Sequence, residues 1–119
     1  MSEAGVVGNK DDVAVVVMSG EGIVEVGKRV LVSPAEGWDG WVMRLFDVGP
    51  GGHTPRHSHP WPHINFVAAG TGTLHVGVAD HALAAGSYAY VPAGVEHQFS
   101  AAAGEPLSFV CIVPAEGDY

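Results

Sequence analysis

The sequence predicts an all-β domain: an antiparallel sandwich, barrel or jelly roll. Three observations carry that expectation. Its apolar segments are of strand length and rich in β-branched and aromatic residues. The 17 glycines and 8 prolines recur every few positions, leaving no window wide enough for an apolar stripe at helical spacing. The strand-like segments also follow one another without the strand–helix alternation of a parallel α/β fold.

In chain order, the candidate strands are residues 13–18, 22–26, 28–32, 41–48 and 54–59, then 63–69, 72–78, 87–91, 97–101 and 107–113. Turn signals divide them at Gly49-Pro50-Gly51-Gly52, Pro60-Trp61-Pro62, Gly70-Thr71-Gly72, Ala79-Asp80-His81-Ala82, Ala85-Gly86, Pro92-Ala93-Gly94 and Gly104-Glu105-Pro106. One short helical turn is expected at residues 34–37. Residues 1–12 read as a flexible N-terminal arm and 13–119 as a single domain.

Composition removes several classes of function. At 47% hydrophobic and 15% charged, the chain is not intrinsically disordered. Five basic against 13 acidic residues give a formal charge of -8, so nucleic acid is not an expected partner. No polybasic patch faces an anionic membrane, and no run nears the roughly 18–20 apolar residues of a spanning helix. A single cysteine, Cys111, forms no internal disulfide and reads as a small buried hydrophobe. The first residues carry Glu3, Asp11 and Asp12 without a basic start or an unbroken apolar run. No signal peptide is read there, and a cytoplasmic location is expected.

One excess remains, seven histidines, of which four lie between His53 and His63. In a strand, alternate side chains share a face, so His57 and His59 point the same way. Pro60-Trp61-Pro62 lacks two amide donors and forces the chain to turn. An antiparallel return then brings His63 beside the first pair, and the turn at Pro92-Ala93-Gly94 delivers His97 to the start of a later strand. Imidazole is the commonest protein ligand for first-row transition metals, so their convergence reads as a metal site. Glu96 has the opposite parity to His97 and points away. Asn65 shares the face of His63, Phe99 follows His97 by two and faces the same cavity, and Trp61 stands in the loop between the ligand segments. These three are the candidate pocket residues. His53 reads as a rim residue, His81 as solvated, and His75 as facing either way; Tyr88 and Tyr90 share one strand face.

The spacings resemble the cupin superfamily. Its first motif is matched by Gly51, then His57, Ser58 and His59, then His63, then Gly70, with every interval in register. Its second is matched by Gly86, Pro92, Ala93, Gly94 and His97, with 15 residues between the two motifs. The usual glutamate ligand is replaced by His63, and the closing asparagine of the second motif by Ala101. The string from His53 to Trp61 is similar to that of small cupins with four-histidine sites, although Pro62 stands where those carry a glutamate. The resemblance implies a double-stranded β-helix, a jelly-roll-like barrel, with His57, His59, His63 and His97 holding one divalent metal. Manganese or iron is favoured, with nickel, cobalt and zinc as alternatives. It further implies a homodimer.

Four neutral imidazoles leave a divalent centre at about +2, against about +1 when a carboxylate is among the ligands. Such a centre suits a small anionic ligand with oxygen donors. The resemblance points to a dioxygenase-like oxidoreductase acting on an oxygen-chelating or unsaturated organic molecule. A non-catalytic metal-dependent binding or sensor module and a metal-dependent isomerase or lyase are the alternatives.

Overall fold

Residues 4–118 are described by a computed structural model in which antiparallel strands carry most of the regular structure. The strands are β1 (Val16–Val17), β2 (Val24–Val32), β3 (Trp41–His53), β4 (His63–Val76), β5 (Ala79–Ala84), β6 (Tyr88–Val91), β7 (His97–Ala101) and β8 (Leu107–Pro114). Three-residue 3-10 turns stand at Lys10–Asp12, Pro34–Glu36 and Ala115–Gly117. The second of these is the helical turn expected from sequence. Ser33 and Glu36 close it as a reciprocal capping box.

Two long strands close the barrel. β3 pairs with β8 over residues 41–48 and reaches β7 at His53, opposite Ser100. β4 pairs with β8 over residues 64–70 and with β7 over residues 72–76. The circuit β3–β8–β4–β7 therefore returns on itself, which removes the open edge a flat sheet would leave. The expected closed all-β barrel is what the chain forms.

Several boundaries differ from the sequence expectation, each for a local reason. Gly70-Thr71-Gly72 is not a turn but the middle of β4, where the strand passes from β8 to β7. A Cβ at Gly70 would overlap the Pro106 carbonyl, and one at Gly72 the Ser100 carbonyl, so these glycines serve close strand approach. Gly49-Pro50-Gly51-Gly52 likewise lies inside β3, beside a break in register with β2 between Val24 and Val26. Residues 22–26 and 28–32 merge into β2 across Gly27, and residues 13–18 keep only β1. Ala79-Asp80-His81-Ala82 belongs to β5; the turn is Gly77-Val78, two residues earlier. Residues 54–59 form no strand, because Pro55 and Pro60 cannot donate to a ladder, and only His57 makes a bridge, to His97. Of the expected N-terminal arm, residues 1–3 lie outside the described residues. Residues 4–12 are exposed along their whole length.

The interior follows strand parity. Along β8, Leu107, Phe109, Cys111 and Val113 are buried while their neighbours are half-exposed. Val48, Val67, Leu74, Phe99 and Ala101 meet them from β3, β4 and β7. Phe99 stacks on Phe109 with ring centroids 3.9 Å apart, and Phe46 covers the other side of Phe109 at 5.3 Å. Burying each such ring contributes about 1.5–3 kcal/mol. Toward one end of the barrel the inward positions turn polar, with Arg44, His63, Asn65 and His97 all buried. That end holds the candidate site.

Candidate metal centre

Backbone hydrogen bonds bring the histidine segment to the barrel wall. His57 N–H donates to the His97 carbonyl at 3.1 Å, and His97 N–H returns the bond at 2.9 Å. Gly94 N–H donates to the His59 carbonyl at 2.8 Å, tying the segment to the turn that precedes β7. The proline-rich stretch thus gives up its ladder but stays anchored at the two residues flanking Ser58.

The rings of His57, His59 and His97 each offer a nitrogen within 4.8 Å of the others. His63 joins them from β4, its ring centroid 4.8 Å from that of His97 and 5.3 Å from that of His59. His63 Nε2 lies 3.2 Å from His97 Nε2.

The partners of the opposite nitrogens settle how the rings are protonated. His59 Nδ1 is 2.8 Å from the Trp61 carbonyl and His97 Nδ1 is 2.9 Å from the Val95 carbonyl. A carbonyl only accepts, so each Nδ1 carries the hydrogen and each Nε2 presents a lone pair. Asn65 Nδ2 donates to the Val110 carbonyl at 3.3 Å, which turns its Oδ1 toward His63 Nδ1 at 2.6 Å and assigns the same tautomer there. Two lone pairs therefore face each other across 3.2 Å between His63 and His97. Neither can donate to the other, and a cation between the rings satisfies both. The donor set fits a transition metal.

Burial keeps His57, His63 and His97 uncharged. His57 is pushed down to about 4 by burial, with the neighbouring His97 and His59 adding to the effect. His63 is pushed down to about 3, again mainly by burial, and the Asn65 hydrogen bond opposes that shift. Burial also lowers His97. At neutral pH these three are ready to act as ligands without first losing a proton.

The rings open onto a cavity of about 90 Å³. Its walls include Phe46, Phe99 and Phe109, with Met18 and Ile23 from the N-terminal segments and Gly117 from the last turn. Arg44 and Cys111 also line it, and sequence reasoning assigned neither to the site. Arg44 faces inward with Val42, Phe46 and Val48, so the parity of β3 was the available signal. Arg44 Nη2 donates to Cys111 Sγ at 3.0 Å, and burial raises the thiol's pKa, keeping it protonated.

Residues 44–113 match the Cupin domain family. The chain belongs to the cupins. A stretch of 76 residues, 64% of the chain, is 41% identical to the 1-methylthio-D-xylulose 5-phosphate methylsulfurylase of Rhodospirillum rubrum. The stretch spans 49% of that relative, about half its length. Among solved structures, the polyketide cyclase RemF from Streptomyces resistomycificus superposes with a TM-score of 0.86 at 27% identity, covering 93% of this chain and 80% of its own. A cupin-2 domain protein from Rhodospirillum rubrum gives 0.85 at 30% identity, covering 100% and 80% respectively. A predicted oxalate decarboxylase from Thermotoga maritima gives 0.83 at 19% identity, a likeness of fold.

Within this cupin barrel the other candidate residues take distinct places. Phe99 lines the cavity, whereas Asn65 stands behind His63. Trp61 stands behind His59, its ring stacked at 4.9 Å and 14° and its carbonyl holding Nδ1. Glu96 points outward, 3.6 Å from His75 and 4.0 Å from Arg56. His75 also meets Asp80 at 2.8 Å, outside the cavity. His53 contacts the Thr54 carbonyl and Gln98 at the end of β3, and His81 is exposed.

Proposed function

We propose that this cupin binds one divalent transition metal through His57, His59, His63 and His97 and acts on a small, oxygen-chelating organic molecule. The observation that carries this reading is the set of Nδ1 partners, which leaves Nε2 lone pairs facing one another in a cavity. When bound, a divalent ion supplies Lewis acidity and a charge of about +2 for anionic oxygen donors. Nitrogen donors suit manganese, iron, nickel or cobalt at six-coordination and zinc at lower coordination.

The chain's own side chains supply orientation and exclusion of water. The Trp61 carbonyl, Asn65 and the Val95 carbonyl hold three rings in one tautomer. The stacked Phe46, Phe109 and Phe99 make one wall apolar, which strengthens every charge interaction inside. No aspartate or glutamate is among the described residues that line the cavity. Chemistry that depends on the substrate's own charge, rather than on a carboxylate base, suits such a site.

The similar structure named as a polyketide cyclase supports a reaction of the isomerase or lyase type. The donor set supports a second reading, a dioxygenase-like oxidoreductase. Four protein nitrogens leave two positions of a six-coordinate ion for substrate and oxygen. Turnover of small enolisable acids and diketones by manganese- or iron-loaded protein separates the two. Product formed without oxygen supports the first, stoichiometric oxygen consumption the second, and saturable binding without product a binding module. Replacing His59→Ala should sharply reduce bound metal, and an unchanged stoichiometry by elemental analysis overturns the ligand assignment. A homodimer belongs with this proposal, supported by the exposed Ile64, Phe66, Tyr88 and Tyr90 on the outer sheet face.

A further inference from the structure

A buried guanidinium is stable only when its five N–H groups find acceptors. Arg44 does not meet that condition. Its side chain is 9% exposed, and Nε is buried without a partner among the described residues. Nη2 donates to the Cys111 thiol at 3.0 Å, a weak acceptor, and Nη1 reaches the Gly117 carbonyl only at 3.5 Å. Asp118 Oδ1 lies 3.6 Å from Nη1, a long ion pair without a hydrogen bond, and it is shared with Lys28 Nζ at 3.0 Å. The guanidinium carbon sits 4.9 Å from the Phe46 ring centroid, a contact that holds its plane. This under-satisfied cation lines the same cavity as the four histidines.

We propose that Arg44 anchors a carboxylate of the ligand in the cavity that the four histidines also line. The planar fork of an arginine pairs with the two oxygens of a carboxylate. Phe46 and Phe109 beside it offer no donors for the further oxygens of a phosphate. With the metal reading above, on which this part rests, the ligand is a small organic acid. One end carries oxygen donors for the histidine-held ion and the other a carboxylate for Arg44. Arg44 thereby adds a second positive group to the cavity beside the proposed ion.

Malate and 2-hydroxybutyrate test this, because they share a 2-hydroxy-acid head and differ in a distal carboxylate against a methyl. Calorimetric titration is carried out on manganese-loaded and metal-stripped protein. The wild type should bind malate at least about tenfold more tightly than 2-hydroxybutyrate. Arg44→Met should reduce that preference to under about twofold, with 2-hydroxybutyrate affinity and manganese content retained. Arg44→Lys, which keeps charge and loses the fork, should fall between. A wild type without the preference, or an Arg44→Met protein that keeps it, overturns the proposal. If Arg44→Met fails to fold, the wild-type preference and Arg44→Lys still decide. A malate preference that persists with equal affinity in both metal states supports Arg44 and counts against the metal reading instead.

Discussion

Asn65 shows how one side chain organises the site from behind. Its amide is committed at Nδ2 to the Val110 carbonyl, so Oδ1 is the atom offered to His63. Replacing Asn65→Leu keeps the volume and removes the acceptor, freeing the His63 ring to flip or change tautomer. Metal affinity, read by competition with a chelator, should fall about 10–100-fold. Asn65→Asp, which retains an acceptor, should recover most of it. Equal affinity in wild type and Asn65→Leu counts against a positioning role. The buried histidines also make the metal-free fold sensitive to acid. Unfolded imidazoles take up protons near 6.5, whereas folded His57 stays neutral to about 4 and His63 to about 3. Between those values the unfolded chain binds more protons, so stability is greatest above 6.5 and is lost as pH falls. For buried His63 the slope is about 1.4 kcal/mol per pH unit. Thermal melts of metal-stripped protein at pH 7 and pH 5 should show a smaller loss for His63→Leu than for wild type. Identical losses contradict the assignment.

At the level of strands, β4 carries the most consequence, because it pairs with β5, β6, β7 and β8 and delivers His63 and Asn65. Its bend at Gly70 places a Cβ position against the Pro106 carbonyl, with φ at +87°. Gly70→Ala should destabilise the domain by about 2–4 kcal/mol, measured by denaturant unfolding. A change below about 0.5 kcal/mol indicates that the strand crossing relaxes freely. The same glycines explain where sequence reading went astray. Gly70, Gly72 and Gly52 look like turn residues, yet here they let neighbouring backbones approach, and a partner strand is invisible in local sequence. The alternation Leu107, Phe109, Cys111, Val113 was legible because a strand with one buried face shows its period directly. The grouping of His57, His59 and His63 was legible from the turn that Pro60 and Pro62 force, although residues 54–59 form no strand and are held instead by bonds to His97 and Gly94. Arg44 was not. A single charge in a strand reads as solvent-facing unless the inward phase of Val42, Phe46 and Val48 is followed through it.

Across the whole molecule, the chain carries a formal charge of -8. On the proposed reading, Arg44 and a bound ion would attract a small anion into the cavity, while the acidic exterior would repel polyanions. The outer sheet face has its own chemistry. Tyr90 lies opposite Ile64, and Tyr88 opposite Phe66, across the β6–β4 pair, and all four are at least half-exposed. A contiguous apolar band of this kind supports the proposed homodimer. Light scattering should give twice the 12.3 kDa chain mass for the wild type. Phe66→Asp should shift it toward the monomer with metal content unchanged. A wild-type protein monomeric at about 100 μM, well above typical dimer dissociation constants, contradicts the dimer.

Convergence of four imidazoles on one ion is read out by X-ray absorption of the purified, manganese-loaded protein. One metal per chain is expected, with about four imidazole nitrogens in its nearest shell, and loss of both signal and stoichiometry in His63→Ala. A protein that takes up no metal, or a His63→Ala protein with full occupancy and an unchanged shell, contradicts it.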